Sequence, residues 1–375
     1  MAIDNKDNKV LNVPHLRFPE FSGEWEMVSL QDIATINPKS DPLQNTFIYI
    51  DLEAVEKGEL RKIQEIMREE APSRAQRVID NNDILFQCVR PYQKNNYIHR
   101  ILNTSNQQWV ASTGYAQIRT TELPNYIYHL LNTDEFNRKV MVRCTGSSYP
   151  AINSEDLATI HFYYTPDKKE QLKISRLLDL LDKRIATQNK IIEKLQSLIK
   201  GIAQNIVLLN KPNVCISQCL ECSSSTLQES DVLEYGTYPV YGANGIVGYL
   251  DNYNTQSEAI YIIKDGSGVG AVSYVTGKCS ATGTLNILQT KEGFSLQYLY
   301  YLLKVFNYEP YKTGMAIPHI YFKDYGKAKI FCPSYPEQLR YANLLSTIDC
   351  KLLAEQNILS NLSVQKQYLL RQMFR

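Results

Sequence analysis

The sequence repeats itself at a distance of about 167 residues, and this repeat limits the possible folds more than any other feature. Three short patches recur in the same order: residues 111–114, 145–146 and 170–172 in the first half match residues 280–283, 313–314 and 337–339 in the second. Repeats of this length indicate two copies of one structural module.

Each copy begins with a part rich in Gly, Pro and Tyr and ends with a long segment that has almost no Gly or Pro. Short alternating apolar runs in the first parts, such as residues 47–50 and 259–263, predict β-strands. The long segments predict helices, the first ending at Lys211 and Pro212. The predicted fold class is therefore α+β, with two similar globular domains joined by two long helices. The predicted boundaries are 1–165 for the first domain, 166–211 for the central helix, 212–335 for the second domain and 336–375 for the C-terminal helix.

The long segments place apolar residues alternately four and three positions apart, an average spacing of 3.5 residues. This is the spacing of a coiled-coil seam, which is narrower than the apolar face of an ordinary surface helix. The seam positions are Ile174, Leu178, Leu181, Ile185, Gln188, Ile192, Leu195, Ile199, Ile202 and Ile206 in the first helix, and Tyr341, Leu345, Ile348, Leu352, Glu355, Leu359, Leu362, Leu369 and Met373 in the second. Gln188 and Glu355 are polar, and a polar seam residue fixes the register of two helices at some cost in stability.

Two arrangements of the helices fit this pattern. Each helix could dock separately on its own module, or the two could pair as an antiparallel coiled coil. We favour the pair, which gives the chain a pseudo-twofold internal repeat with one similar module at each end.

The overall charge excludes a generally basic, nucleic-acid-coating protein. The 375 residues contain 40 Lys and Arg against 39 Asp and Glu, a net charge of +1. No apolar run has the 18 or so residues of a membrane helix, and residues 1–9 lack the apolar core of a signal peptide, so we expect a cytoplasmic protein. The eight cysteines are then expected to be reduced thiols.

The sequence lacks the common catalytic motifs, including the P-loop, the His-Glu-x-x-His zinc motif and any Glu-x-Lys tripeptide. Cys215, Cys219 and Cys222 have the spacing that holds an iron–sulfur cluster for radical chemistry. That chemistry needs a large barrel for which too few residues follow, so we expect incidental thiols and no metal site. The chain is predicted to be a recognition protein without catalytic residues.

Several motifs together resemble the specificity subunits of Type I restriction–modification enzymes. They are the opening stretch 13–21 with Trp25, the stretch Tyr235-Gly-Thr-Tyr-Pro-Val-Tyr-Gly-Ala-Asn-Gly-Ile-Val-Gly-Tyr249, and the Thr-Gly patches at 145 and 313 that precede the helices. This ordered set, on a duplicated layout that covers nearly the whole chain, is more specific than any single motif.

The resemblance implies two target-recognition domains that bind double-stranded DNA, and two helices that pack antiparallel and bind methyltransferase subunits, which in turn recruit restriction subunits. S-adenosylmethionine, ATP and Mg would belong to those partners, with no cofactor bound by this chain. One departure is Lys366, which stands where the first helix has Ile199 and predicts fraying of the seam near that end. The alternative is a coiled-coil scaffold whose two modules bind protein or glycan.

Two recognition domains that differ in sequence predict an asymmetric target with two separated half-sites, about one DNA turn (roughly 10 bp) apart. Residues 1–165 hold 17 basic and 21 acidic residues, and residues 212–335 hold 8 and 10, so both domains are slightly acidic. Because phosphate attraction supplies much of the affinity for DNA, we expect the isolated chain to bind DNA weakly and its partners to supply further contacts.

The candidates for base contacts are polar, aromatic and basic residues in loops, since Arg suits guanine and Asn or Gln suits adenine. They are Arg90, Tyr92, Gln93, Lys94, Asn95, Asn96, Tyr97, Arg143, Thr145, Ser147, Ser148 and Tyr149 in the first domain, and Tyr241, Asn244, Lys312, Thr313, Gly314 and Met315 in the second. Each stretch could instead be an ordinary solvated loop. Arg74, Gln76 and Arg77 are weaker candidates and are expected on a charged helix face.

Overall fold

The structure is a computed structural model that describes residues 12–100, 107–266, 268–315 and 317–375. The N-terminal stretch 1–9, in which no signal peptide was expected, lies outside the described residues. Backbone contacts divide the chain into unit 1, Met1–Thr187 with Leu359–Arg375, and unit 2, Gln188–Ile358. This division crosses both long helices, whereas the sequence-based domain boundaries follow the helix ends.

Unit 1 contains two four-stranded sheets. Its strands and short helices are β1 (Glu26–Ser29), α1 (Leu30–Ile33), β2 (Ala34–Ile36), β3 (Thr46–Ile50), β4 (Val55–Glu56), β5 (Glu59–Leu60), β6 (Gln64–Met67), β7 (Ala75–Val78), β8 (Ile84–Gln87), β9 (Tyr97–Ile98), β10 (Gln108–Ser112), β11 (Tyr115–Thr120), α2 (Pro124–Leu131), α3 (Asp134–Arg143), α4 (Ser154–Ala158) and β12 (His161–Tyr164). One sheet has the order β6-β3-β10-β7, with β10 parallel to β3, and the other has the antiparallel order β2-β11-β8-β9. Two smaller antiparallel pairs, β1 with β12 and β4 with β5, complete the unit.

Unit 2 repeats this plan in a shorter form. Its elements, apart from the long helices, are β13 (Val214–Cys215), α6 (Ile216–Cys219), β14 (Leu220–Ser224), β15 (Tyr238–Gly242), β16 (Gly245–Leu250), β17 (Glu258–Ile263), β18 (Val272–Thr276), β19 (Ser280–Ala281), β20 (Leu285–Thr290), α7 (Leu296–Lys304), α8 (Phe322–Tyr325) and β21 (Lys329–Ile330). The antiparallel sheet β14-β20-β17-β18 accompanies the sheet β16-β15-β19, in which β15 and β19 are parallel. The strands predicted at 47–50 and 259–263 are β3 and β17.

The two long helices are α5 (Lys168–Leu209) and α9 (Tyr335–Met373). At the start of α5, the Asp167 side chain accepts a hydrogen bond from the Lys169 amide (2.8 Å). At the start of α9, the Glu337 carboxylate accepts from the Ser334 hydroxyl (2.7 Å) and from the Ser334 amide (3.2 Å). Despite their length, these helices lack the apolarity that membrane crossing requires, and so does every other helix in the described part of the chain.

The repeated Glu-Gln-Leu motif has the same structural role in both copies. The buried Gln171 side chain donates to the Thr165 carbonyl (2.8 Å) and accepts from the Leu123 amide (3.3 Å) at the start of α2. Its equivalent Gln338 donates to the Pro333 carbonyl (2.9 Å) and accepts from the amide that precedes α7 (2.9 Å). Each glutamine therefore ties a long helix to the short helix of its own unit.

The long helices pair in antiparallel orientation. In unit 1, Ile174 and Leu178 share a buried cluster with Leu370 and Met373. One turn further along α5, Asp182 pairs with Lys366 (2.5 Å), so α9 runs in the opposite direction to α5. The expected fraying at Lys366 is not observed, because this ion pair satisfies the ammonium and α9 continues to Met373.

In unit 2 the pairing is marked by a polar contact, in which Gln188 Nε2 donates to the Glu355 carbonyl oxygen (3.1 Å). The predicted seam positions from Ile174 to Ile206 and from Tyr341 to Met373 are all buried or half-buried. The predicted α+β class, with two similar modules and two long antiparallel helices, is confirmed.

The end of α9 completes the core of unit 1. Phe374 packs against Trp25 (ring centroids 6.3 Å apart) and Tyr126 (5.4 Å), and the Leu16 amide donates to the Gln372 carbonyl (2.8 Å). Both ends of the described chain are thus anchored in unit 1, which explains why the N-terminal stretch around Trp25 is part of the domain.

Candidate nucleic-acid interface

Each unit carries the same backbone hairpin at its Thr-Gly patch. In unit 1, Thr145 and Ala151 exchange two backbone hydrogen bonds of 2.9 Å, and in unit 2, Thr313 and His319 exchange two of 2.9 and 2.7 Å. Both hairpins turn at a glycine with φ of +87°, Gly146 or Gly314, a conformation that side-chain-bearing residues rarely adopt. The Thr-Gly repeat in the sequence therefore encodes one hairpin built twice.

Each hairpin rests on the end of a core strand in the same way. In unit 1 the Ile152 amide donates to the Cys88 carbonyl (3.0 Å), and the Arg90 amide donates to the Pro150 carbonyl (2.7 Å). In unit 2 the Ile320 amide donates to the Lys264 carbonyl (2.9 Å), and the Gly266 amide donates to the Pro318 carbonyl (3.0 Å). These bonds define equivalent positions in the two units. They also attach each hairpin to the end of a core strand, and we call this attached hairpin the hairpin platform.

Arg90 and Tyr149 bring together the two stretches predicted in the first domain. The Arg90 guanidinium lies 4.2 Å from the centre of the Tyr149 ring, and Tyr149 is 63% exposed. Arg90 has a left-handed backbone (φ 53°), which turns the chain toward the hairpin. Among the described residues, no carboxylate lies within ion-pair distance of Arg90, so its charge is available to a ligand. Stacking on an aromatic ring restricts the side chain before binding.

The other residues of the 92–97 stretch differ in accessibility. Tyr92 is 51% exposed, and Gln93 is exposed although its side-chain oxygen accepts from Gln87 (2.9 Å). Lys94 pairs with Asp134 (2.7 Å), and the Asn95 side chain accepts from the Lys57 amide (3.0 Å).

Two members of the stretch face the protein interior. Asn96 is buried, and its side chain bonds the Gln87 amide (2.9 Å) and Asn132 (3.1 Å). Tyr97 is half-buried on β9, and burial raises the pKa of its phenol. The Asn96 side chain is held within unit 1 by these bonds and has no free polar face for DNA, so we leave it out of the interface. Tyr97 is less accessible than the exposed Tyr92 and Gln93.

The second predicted stretch of unit 1 is likewise divided. Arg143 donates to the Asp156 carbonyl (2.7 Å) and to the Thr159 hydroxyl (2.9 Å) at the end of α4, which fixes the hairpin to the unit. In contrast, Thr145, Ser147 and Ser148 are exposed on the hairpin itself.

The second hairpin presents different side chains. Thr313 and Gly314 are exposed, Met315 is fully exposed and Ile317 is 59% exposed, while Lys312 pairs with Glu309 (2.6 Å) outside the turn. At its base, His319 Nδ1 lies 2.6 Å from Asp265 Oδ1. Sequence reasoning missed this pair, because 54 residues separate its members and neither belongs to a recognisable motif.

Tyr241 and Asn244 belong to another hairpin of unit 2, with Tyr241 on β15 and Asn244 in the turn between β15 and β16. The ring of Tyr241 is half-buried against Tyr261 (centroids 5.8 Å apart), and burial raises the pKa of Tyr241. Asn244 is exposed in the two-residue turn before Gly245. Of these two candidates, Asn244 is the more accessible.

The weaker candidates Arg74, Gln76 and Arg77 do not lie on a helix, and that expectation was wrong. Gln76 and Arg77 belong to strand β7, which pairs with β10, and Arg74 precedes it. Burial lowers the pKa of Arg77.

The three cysteines of the triad lie on three consecutive elements. Cys215 precedes α6, Cys219 ends α6 and is buried with its sulfur 3.9 Å from that of Cys332, and Cys222 lies on β14. Among the described residues no group of three or more His, Cys, Asp or Glu side chains could hold a metal ion.

Comparison with known proteins assigns the chain to a family. Residues 22–197 and 214–363 match the family described as Type I restriction modification DNA specificity domain. A type I specificity subunit from Mycoplasma genitalium is 24% identical over 272 residues, covering 66% of this chain and 70% of the relative. The specificity subunit of the type I restriction enzyme EcoprrI from Escherichia coli is 27% identical over 112 residues, covering 30% of this chain and 28% of the relative.

Two solved structures have the same fold. The S subunit of a Type I restriction–modification system from M. genitalium superimposes with a TM-score of 0.65 at 17% identity, covering 97% of this chain and 99% of that one. A chain from a structure of type I R-M complex assembly and conformational transition superimposes with a TM-score of 0.55 at 20% identity, covering 94% and 97%. Because the family match spans most of its length and includes both copies of the repeat, the chain belongs to the DNA specificity family of Type I restriction–modification systems.

Proposed function

We propose that this chain is the sequence-specific DNA recognition subunit of a Type I restriction–modification complex, and that each unit contacts one half of an asymmetric bipartite target. The observation that carries this proposal is the hairpin platform, which is built twice on the same backbone bonds but bears different side chains. A repeated scaffold with divergent exposed residues suits two readers of different base sequences. Family membership disfavours the alternative of a protein- or glycan-binding scaffold.

Arg90 is the residue we propose for base contact in unit 1. A guanidinium donates two parallel hydrogen bonds to O6 and N7 of guanine in the major groove, and such a pair contributes about 1–3 kcal/mol of discrimination. Its stacking on Tyr149 limits the entropy lost on binding, and the exposed hydroxyls of Thr145, Ser147 and Ser148 lie on the same hairpin. We therefore expect a guanine in the half-site of unit 1.

The long helices are proposed to bind methyltransferase subunits through exposed apolar residues outside the seam. Leu172 and Leu339 occupy equivalent positions and are 39% and 38% exposed, and Ile191 and Ile358 are equivalent and 37% and 40% exposed. Exposed apolar residues repeated along a helix suit a protein partner. Because these exposed apolar residues occupy equivalent positions on both helices, we propose two equivalent docking sites.

Catalysis is assigned to the partner subunits in this proposal. Methyltransferase subunits would hold S-adenosylmethionine, and restriction subunits that join through the complex would hold ATP and Mg, so this chain would act without a cofactor of its own in the cytoplasm. Because both domains are slightly acidic, we propose that DNA affinity of the isolated chain is low and that the partners supply phosphate contacts.

Genome-wide mapping of methylated adenines, with and without the gene for this chain, tests the proposal. A gapped two-part motif that is methylated in the wild type and unmethylated after deletion is the expected result. An identical set of methylated sites in both strains would contradict it.

A further inference from the structure

We propose that the Asp265–His319 pair of unit 2 is a specificity determinant that accepts a hydrogen bond from the exocyclic amino group of adenine or cytosine. This inference rests on the proposed DNA-recognition function and adds a base chemistry for the second half-site. In this inference unit 2 accepts a hydrogen bond from the base, whereas Arg90 of unit 1 can only donate.

The backbone of the hairpin does not need this pair. The residues that form the corresponding bridges in unit 1 are Val89 and Ala151, where unit 2 has Asp265 and His319. Both versions of the hairpin have the same backbone bonds, so an apolar pair supports the fold equally well. Comparison of the two units therefore indicates that the side chains of His319 and Asp265 have a role other than stabilising the hairpin.

The contact between the two side chains fixes which atoms of His319 can act. An ionised Asp265 can only accept, so His319 Nδ1, at 2.6 Å from its Oδ1, must carry the hydrogen. In a neutral imidazole, Nε2 is then a lone-pair acceptor. Among the described residues, no side chain or backbone group forms a hydrogen bond with this Nε2, and the His319 side chain is 35% exposed.

The groove beside Asp265 contains further groups that can accept hydrogen bonds. Asp265 lines an open groove of about 650 Å³ together with residues 225–230 and 282–284. The groove carries the hydroxyls of Ser and Thr residues and the carboxylate of Glu229, and no Lys or Arg lines it. A surface of this kind repels phosphate and suits the amino edge of a base, since carboxylates accept from cytosine N4 and acceptors in general distinguish adenine N6.

The exposed tip of the hairpin supports contact with a base edge. Met315 and Ile317 project from the turn, and their apolar surface could pack against a neighbouring base while His319 and Asp265 approach its polar edge. In unit 1 the position of Ile317 is occupied by Tyr149, which supports Arg90. The two hairpins therefore combine a packing residue with a polar residue, donor in one and acceptor in the other.

The test exchanges the pair for the residues found in unit 1. The complete chain, bound to its methyltransferase subunits, is compared with the double variant Asp265→Val/His319→Ala and with the control Glu234→Gln, which removes an exposed carboxylate elsewhere in unit 2. Kd values are measured by fluorescence anisotropy on the mapped target duplex, and thermal unfolding checks that the variants are folded. In each of a further set of duplexes, a single adenine is replaced by purine or a single cytosine by pyrimidin-2-one. Each of these duplexes therefore lacks one exocyclic amino group.

We expect one such replacement to weaken binding of the wild type and the control by about tenfold and to leave the double variant unaffected. If affinity is lost with a purine duplex, the amino group belongs to adenine, and if it is lost with a pyrimidin-2-one duplex, the amino group belongs to cytosine. The inference is overturned if every replacement affects wild type and double variant equally, or if only 7-deazaguanine, which removes an acceptor, distinguishes them. Failure of the wild type to prefer the target over a scrambled duplex would instead contradict the proposed function itself.

Discussion

Gln188 and Glu355 are equivalent residues of the two repeats, 167 positions apart, and they contact each other. Gln188 Nε2 donates to the Glu355 carbonyl oxygen at 3.1 Å and also to its carboxylate, which pairs with Lys351. When two equivalent helices pair in antiparallel orientation, a residue can contact the equivalent residue of the other helix only at the centre of the pairing. This contact therefore fixes the register of α5 against α9.

Removal of one partner of this contact should destabilise the chain more than removal of both. Gln188→Leu removes the amide donor of Glu355, whose carboxylate then keeps only its pair with Lys351, and we expect a measurable decrease in the free energy of unfolding by urea. The double variant Gln188→Leu/Glu355→Leu fills the seam with apolar groups and should recover most of that loss. Gln196→Leu, on the exposed side of α5, is the control. Equal losses in the single and double variants would argue against a coupled contact.

Arg90 should determine base preference more than overall DNA affinity. Arg90→Lys keeps the positive charge but loses the planar stack on Tyr149 and the paired donors, so we expect about tenfold weaker discrimination of guanine from other bases in the unit 1 half-site. Binding to unrelated DNA should change little, because charge is retained. Anisotropy on duplexes that vary at one position measures both quantities, with the exposed Arg138→Lys as control. Unchanged base preference would remove Arg90 from the interface.

The exposed apolar residues Ile191 and Ile358 should determine how many methyltransferase subunits bind. Ile191→Glu or Ile358→Glu places a charge at one of these equivalent positions, and we expect each to remove one bound subunit, while the double variant removes both. Light scattering of the purified complex measures this stoichiometry. Gln196→Glu adds the same charge at an exposed polar position of α5 and should leave the complex intact. Loss of both subunits from either single variant would contradict two separate docking sites.

His99 should make the stability of the chain depend on pH between about 6.5 and 4. Burial lowers the pKa of His99 to about 4 from 6.5, and its ring packs 4.9 Å from Trp109. As the pH falls through this range, the unfolded chain binds a proton that the folded chain does not, so the free energy of unfolding decreases. His99→Phe keeps a packed ring and should reduce the slope, measured by urea unfolding at several pH values.

The exposed His161→Gln is the matched control for this pH series and should retain the wild-type slope. If His99→Phe also retains it, another group is responsible for the pH dependence.

The sequence alone was sufficient for the parts of the fold that depend on local periodicity. The 3.5-residue spacing identified both long helices, and the Glu-Gln-Leu and Thr-Gly repeats marked points where Gln171 and Gln338 anchor the helices and where the hairpins turn. These features could be predicted from the sequence because each depends on residues that are close together in the chain.

Long-range contacts could not be predicted in the same way. Phe374 packs on Trp25 across nearly the whole chain, and His319 meets Asp265 across 54 residues. Asn96 lies in a stretch whose polar composition is typical of a solvated loop. Its side-chain oxygen nevertheless accepts a hydrogen bond from the backbone amide of Gln87 inside unit 1. Polar residue type indicates a possible contact with DNA, whereas burial and existing hydrogen bonds decide whether the side chain is free to make it.

The most direct test of this account is methylation mapping after residues 1–165 are replaced by the corresponding domain of another family member, chosen to keep a tryptophan at the position of Trp25 against Phe374. The account predicts a methylated motif in which one half is new and the other half is unchanged. A motif in which both halves change, or neither, would contradict the assignment of one half-site to each recognition domain.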